Sequence, residues 1–245
     1  MTSQNCPGAG KKKPTAKYRV LLLDVDGTLL DFHASERQGI RELLTEYGFS
    51  ATDALLDQYH QINEGYWQAF NRGEITKERL CRERFVRFFG ELGMQVDGEK
   101  EEARYRAFLD QSAILLPGAL ETCCRLSTVY DCYVVTNGTS QTQYRRLALS
   151  GLDAFMKDIF VSEDAGSQKP QKAYFDYCFS RIPGVSLEEM LIVGDSLSSD
   201  ILGGNQAGID TCWVNPAGLP LTDGIRADYQ IREIGELPVL LGERE

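Results

Sequence analysis

The sequence predicts an α/β protein: a parallel sheet whose first strand is separated from the others by an inserted all-helical block. Three observations carry this. An apolar run, VLLL at residues 20–23, stands alone near the start; only helical periodicity follows from Ser35 to Ser112; and from Leu116 onward short apolar runs alternate with amphipathic stretches. Such alternation lays strands side by side in parallel with right-handed crossovers. A run apolar at consecutive positions is buried on both faces, as the strands of a parallel sheet are. The expected organisation is therefore a flexible leader at 1–17, an α/β core made of 18–34 and 113–245, and a helical insertion at 35–112.

Taken in order, the first strand is expected over Arg19 to Leu23. In the first inserted helix, Ile40, Leu43, Leu44 and Tyr47 fall on one face and Gly48 follows as a stop. A second helix carries Leu55, Leu56, Tyr59, Ile62, Tyr66 and Phe70 and ends near Asn71 to Gly73. Thr76 is placed to cap a third, with Ile75 and Leu80 at the spacing of a hydrophobic staple, and that helix runs through Phe85, Phe88 and Phe89 to Gly93. A charged fourth helix spans Glu99 to Gln111, with Tyr105, Phe108 and Leu109 as its apolar side. Further strands are predicted over Cys132–Val135, Asp158–Val161, Met190–Val193, Thr211–Val214 and Tyr229–Ile231. Helices are predicted near Pro117–Ser127, Ser140–Leu149, Lys172–Arg181 and Ser199–Ala207.

Composition narrows the function. With 245 residues, 42% of them hydrophobic, the chain can bury one sizeable core and a smaller second one. A net charge of −10 argues against general attraction to nucleic acid or to an anionic membrane, so a bound phosphate needs a local site. The 7 cysteines are an odd number without a C-x-x-C pair, which fits reduced thiols in a cytoplasmic protein. No stretch approaches the length of an apolar membrane span, and the leader lacks a secretory apolar segment. His33 and His60 are the only histidines, too few for a zinc site and without cysteine partners at ligand spacing, and are expected to be structural or surface residues.

Three predicted strands end in polar residues followed by small ones: VLLLDVDGT, CYVVTNG and MLIVGDSLSSD. The carboxyl ends of parallel strands form the rim where ligands bind. One shared site is therefore expected, built from Asp24, Asp26, Thr136, Asn137 and Asp195. An EF-hand loop is excluded because Thr28, Leu29 and Ser35 occupy positions that need an acid, a glycine and a glutamate. GAGKKKPT lacks the glycine spacing and the Gly-Lys-Ser/Thr ending of a P-loop. What remains is a carboxylate cluster suited to a hard cation such as Mg²⁺.

DVDGT, the threonine of TNG, the lysine of SQKP and the acidic GDSLSSD together resemble, in order and separation, the four motifs of the haloacid dehalogenase superfamily. That resemblance implies a Rossmann-like core with a small helical cap, hinged near Asp31–Ser35 and Ala113–Pro117. It implies that Asp24 is the nucleophile that takes a phosphoryl group and that Asp26 moves the proton. Mg²⁺ is then held by Asp24, Asp195 and the backbone carbonyl of Asp26. Lys169 bridges nucleophile and phosphoryl group, Thr136 with the amides around Asn137 and Gly138 cradles phosphate, and Asp200 supports the lysine and the metal. The second aspartate favours phosphoryl transfer over dehalogenation, because a departing halide needs no proton.

TLLDF, VSEDAGSQKPQKAYFDY and GDSLSSDILGGNQAGIDTCWVNP further resemble the bacterial nucleotidases that act on pyrimidine 5′-nucleotides. The expected partner is a small phosphorylated metabolite, a nucleotide in this reading, with the oligomeric state open and a monomer compatible. Tyr66 and Trp67, with Phe70, form an aromatic group that could meet a base, although Tyr66 and Phe70 share a helix face suited to packing; Trp67 lies off that face. A sugar-phosphate phosphatase or phosphomutase of the same fold is the alternative within the class. A non-catalytic Mg²⁺- or phosphate-binding regulator is the alternative outside it, and it predicts loss of one of Asp24, Asp26, Lys169 or Asp195.

Overall fold

The computed structural model describes residues 17–243, so all of the expected leader except Lys17 lies outside the described residues. Along the chain, β1 (Val20–Leu23) is followed by α1 (Phe32–Glu46), α2 (Asp53–Asn71), α3 (Lys77–Glu91) and α4 (Gly98–Leu109). Helices and strands then alternate: α5 (Ala119–Ser127), β2 (Asp131–Thr136), α6 (Ser140–Ser150), β3 (Asp158–Val161), the single turn α7 (Ser162–Ala165) and α8 (Lys172–Phe179). The last elements are β4 (Met190–Gly194), α9 (Leu202–Ala207), β5 (Asp210–Val214), β6 (Tyr229–Ile231) and the turn α10 (Leu237–Leu240). No helix among the described residues is long and apolar enough to cross a membrane.

Two compact units result among the described residues: one holds residues 17–30, Leu115–Ser140 and 150–243, and the other holds Asp31–Ile114 with Gln141–Leu149. In the first unit the strands form one six-stranded sheet in the order β3-β2-β1-β4-β5-β6, with every pair parallel. All four residues of β1 are fully buried, which is why no polar alternation interrupts that run. Val20 and Leu22 share one face with Tyr133, Val135, Phe160 and Ile192, and Tyr174, Phe175 and Cys178 of α8 close over them. Tyr133 and Phe160 stack at 5.6 Å with planes 7° apart, a cross-strand contact that fastens the β2–β3 edge. Cys81, Cys123, Cys132, Cys178 and Cys212 are free and buried.

The second unit is a helical bundle around Ile40, Leu43, Leu44, Tyr59, Phe85, Phe88, Phe89 and Tyr105. Its helices begin where a side chain satisfies an open amide. Thr52 accepts from Leu55 N–H and Thr76 from Arg79 N–H, and Ile75 packs against the cluster of Phe70, Leu80 and Cys81. α1 starts before Ser35 because the Asp31 carboxylate accepts the Ala34 N–H at 2.8 Å. A polar string runs through this bundle. Asn63 donates to Glu36 and accepts from Arg84, and Arg84 pairs with Glu102, which also takes Arg106 Nε at 2.5 Å. The Arg84 guanidinium lies over Phe85 and Tyr105, so its charge is met by rings as well as by carboxylate. Burial pushes against ionisation of Glu102, but Arg84 and Arg106 hold its carboxyl below the usual value. Residues 141–149 join this unit through Thr142 and Arg145, both donating to Asp110, and through buried Arg146, which donates to the Ser112 carbonyl.

Candidate active site

The strand order places β1 between β2 and β4, so successive crossovers leave it in opposite directions and open a crevice beyond the carboxyl ends of the strands. Asp24 is the first residue past β1. Its N–H donates to the Val193 carbonyl at 2.9 Å, which extends the ladder and fixes where the carboxylate emerges. Thr136 ends β2, and Asp195 directly follows Gly194, the last residue of β4. The polar endings of three neighbouring strands thus converge on one rim.

Lys169 arrives from the segment between α7 and α8 with its side chain almost wholly buried, 2% exposed. All three ammonium hydrogens are used: Nζ donates to Asp24 Oδ1 at 2.6 Å, to Asp200 Oδ1 at 2.7 Å and to the Val135 carbonyl at 2.8 Å. The lysine backbone is clamped as well, since Asn137 Oδ1 accepts its N–H and Asn137 Nδ2 donates to its carbonyl, both at 2.9 Å. Burial disfavours the charged lysine, yet Asp200 and Asp24 outweigh it and hold its pKa above the ordinary value. Asp200 is fully buried, and its second oxygen accepts the Ser196 N–H at 3.1 Å. Both of its oxygens are therefore engaged by protein donors. It is turned inward by a π-helical turn, Leu197–Ile201, ahead of α9.

One ammonium faces three carboxylates here, those of Asp24, Asp195 and Asp200, whose oxygens lie within 4.8 Å of one another. Burial pushes the Asp24 carboxyl up to about 7 although Lys169 pulls it down. Burial, with the charges of Asp24 and Asp200, likewise raises Asp195. An all-oxygen donor set with this uncompensated charge fits a hard divalent cation such as Mg²⁺. The expected metal residues are distributed unevenly. Asp24 and Asp195 are in the group, while Asp26 is half-buried in the loop that bridges to Leu30 and its carboxylate is not one of the three.

Thr136 is buried, and its Oγ1 accepts the Gly138 N–H at 3.1 Å, so that hydroxyl also closes the turn after β2. Tyr66 and Trp67 lie in the helical unit. Trp67 packs edge-on against Phe70 at 5.8 Å beside Ile75 and Leu80, and Tyr66 joins the same satellite cluster.

Three features of the rim are absent from the sequence reading. Trp213 of β5 donates its Nε1–H to the Asp195 carbonyl at 2.8 Å and pins the loop after β4. Gly27, at φ 86°, passes so close to Asp195 that a Cβ would stand 2.2 Å from Oδ2; at Gly194 a Cβ would stand 2.3 Å from the Asp200 carboxyl carbon. The sequence shows both glycines beside the motif aspartates, but not their crowding against the Asp195 and Asp200 carboxylates. Trp213 carried one available signal: it is the sole large aromatic in β5, the strand that pairs with β4 and sets Trp213 opposite Gly194.

Comparison with known proteins follows the same lines. The model of haloacid dehalogenase-like hydrolases matches residues 18–208. YfnB of Bacillus subtilis, named as a HAD-hydrolase, is 47% identical over 90% of this chain and 94% of its own. The pyrimidine 5′-nucleotidase PynA of Streptococcus pneumoniae is 38% identical over 90% and 93% of the two chains, and the pyrimidine 5′-nucleotidase YjjG of Escherichia coli 30% identical over 92% and 98%. An orthorhombic crystal structure of YfnB, bound to magnesium and revealing interdomain movement, matches with a TM-score of 0.88 over 92% of this chain and 99% of that one.

Proposed function

This chain belongs to the haloacid dehalogenase-like hydrolase family, and from that premise we propose that it is a Mg²⁺-dependent phosphatase whose substrate is a pyrimidine nucleoside 5′-monophosphate. The observation that carries the mechanism is the buried Lys169 ammonium, bonded at once to Asp24 and Asp200, with Asp195 completing a carboxylate group beside it. Asp24 and Asp195, with the Asp26 backbone carbonyl, would hold Mg²⁺, which when bound neutralises charge on the phosphoryl oxygens.

In the first step an Asp24 oxygen attacks phosphorus in line. The ester bond breaks as the acyl-phosphate bond forms, and Asp26 gives its proton to the departing nucleoside oxygen. In the second, Asp26 takes a proton from water as that water attacks phosphorus, releasing phosphate and restoring Asp24. Lys169 holds Asp24 in place and offsets the charge of the arriving phosphate, while Thr136 and the turn at Asn137 and Gly138 supply donors to its oxygens. Asp200, with both oxygens committed to Lys169 and Ser196, positions the lysine. The nucleotide assignment is supported by PynA and YjjG, whose names state that activity. Substrate selection is assigned to the helical insertion, with Trp67 and Tyr66 as the residues to meet the base.

Phosphate release from dUMP, dTMP, UMP and a set of sugar phosphates, with and without Mg²⁺, tests both levels. Release is expected from the pyrimidine nucleotides, only with metal, and not from Asp24→Asn. Metal-independent release, or full activity in Asp24→Asn, overturns the mechanism; preference for a hexose phosphate overturns the nucleotide assignment alone.

A further inference from the structure

Two histidines and a buried carboxylate meet in the helical unit, in a group that takes no part in the chemistry above. Glu36 of α1 is 1% exposed, and its Oε2 stands 2.6 Å from His60 Nδ1, on α2, and 3.8 Å from His33 Nδ1, one turn earlier on α1. The imidazole rings are 4.6 Å apart and inclined at 78°. One donor atom from each residue lies within 4.8 Å of the other two. The carboxylate is held from behind: Asn63 Nδ2 donates to Glu36 Oε1 at 2.6 Å, and Asn63 is itself fixed by Arg84 at 2.7 Å. One oxygen is thereby committed to the interior and the other is presented to both imidazoles, the kind of support that orients a metal-ligating carboxylate.

We propose that His33, Glu36 and His60 bind a borderline divalent transition metal, Zn²⁺ foremost, between α1 and α2. Two imidazole nitrogens and one carboxylate oxygen are a donor set for Zn²⁺ and its neighbours and a poor one for Mg²⁺, which takes oxygen. Tetrahedral zinc, with bonds of about 2.0–2.2 Å, separates neighbouring donors by about 3.3 Å. The separations of 2.6 and 3.8 Å straddle that value. Both imidazoles are partly in solvent, at 52% and 36% side-chain exposure, so they have room to adjust and water can complete the coordination. The sequence conceals the group because His60 is far from the other two in the chain; only His33 and Glu36 share a helix face. The competing account is a protonated His60 that simply neutralises buried Glu36.

The test uses the untagged full-length protein, stripped with chelator and kept in saturating Mg²⁺ so that the all-oxygen site is filled. Zn²⁺ is titrated by calorimetry and Co²⁺, as a spectroscopic substitute, by visible absorption. The expected result is one Zn²⁺ per chain with a dissociation constant in the micromolar range or tighter, and Co²⁺ bands of nitrogen and oxygen ligation. His33→Gln and His60→Gln, each confirmed as folded by circular dichroism, are each expected to weaken Zn²⁺ binding at least tenfold. Absence of saturable Zn²⁺ binding, or undiminished affinity in either folded variant, would overturn the proposal and leave a proton as the group that joins His60 to Glu36.

Discussion

Lys169 is the residue on which the site turns, because its burial makes sense only with its partners in place. Removing it strands Asp24 and Asp200 as buried, uncompensated carboxylates. Lys169→Met is expected to destabilise the cation-free protein by about 3–5 kcal/mol in urea unfolding and to lower phosphate release by about 10²–10³-fold or more. A variant of unchanged stability would show that the lysine is not the counter-charge. Gly27→Ala tests a subtler point. Its Cβ would collide with Asp195 Oδ2, at a φ that alanine avoids. The expected outcome is a folded protein whose Mg²⁺ dependence moves at least tenfold to higher concentration; an unchanged dependence would contradict the reading of Asp195. At this scale the sequence sets Asp24, Thr136 and Asp195 where apolar runs stop, and the structure has them at the carboxyl ends of three neighbouring strands. The Asn137 clamp and the Trp213 bond were hidden. Each joins residues far apart in sequence, through a register that only folding sets.

At the level of elements, starts and stops follow satisfied amides more closely than apolar periodicity. Thr76→Ala is expected to cost about 1 kcal/mol by loss of the α3 cap, measured by thermal or urea unfolding. β2, β4 and β5 each extend beyond the strands expected from their apolar runs, because ladder bonds such as Asp131 N–H to the Arg19 carbonyl, 2.9 Å, do not depend on side-chain polarity. The sequence predicts ordinary helix from Ser199, whereas a π-helical turn precedes α9, since a widened turn has no period of its own in so short a stretch. Between α3 and α4 the Arg84–Glu102 pair gives a pH prediction. With the Glu102 carboxyl held below its ordinary value of 4.5, its stabilisation is present above that pH and is lost as pH falls through the lower folded value. Glu102→Gln should leave Arg84 buried without its anion, lower stability at neutral pH, and flatten the acid limb of the stability profile. A variant with an unaltered acid limb would assign that limb to other carboxylates.

Across the whole molecule, the separation of a helical block from an α/β part is legible in one switch in periodicity: strand, then helices alone, then alternation. The α/β sheet with its central β1 follows from that pattern, because a fully apolar strand has to lie between neighbours. The attachment of residues 141–149 to the helical unit was not legible, since it depends on polar anchors to Asp110 and Ser112 rather than on apolar spacing. Function enters at the same scale, where polar residues from distant parts of one chain share a rim and leave an excess of carboxylate charge that a divalent cation can offset. The central claim is that Asp24 carries the phosphoryl group. It is tested most directly by acid-quenching the Mg²⁺-loaded enzyme during turnover of UMP, reducing with borohydride and mapping peptides by mass spectrometry. The account predicts that Asp24 is converted to homoserine through its acyl phosphate. Turnover with Asp24 unmodified, or modification of a different residue, would contradict it.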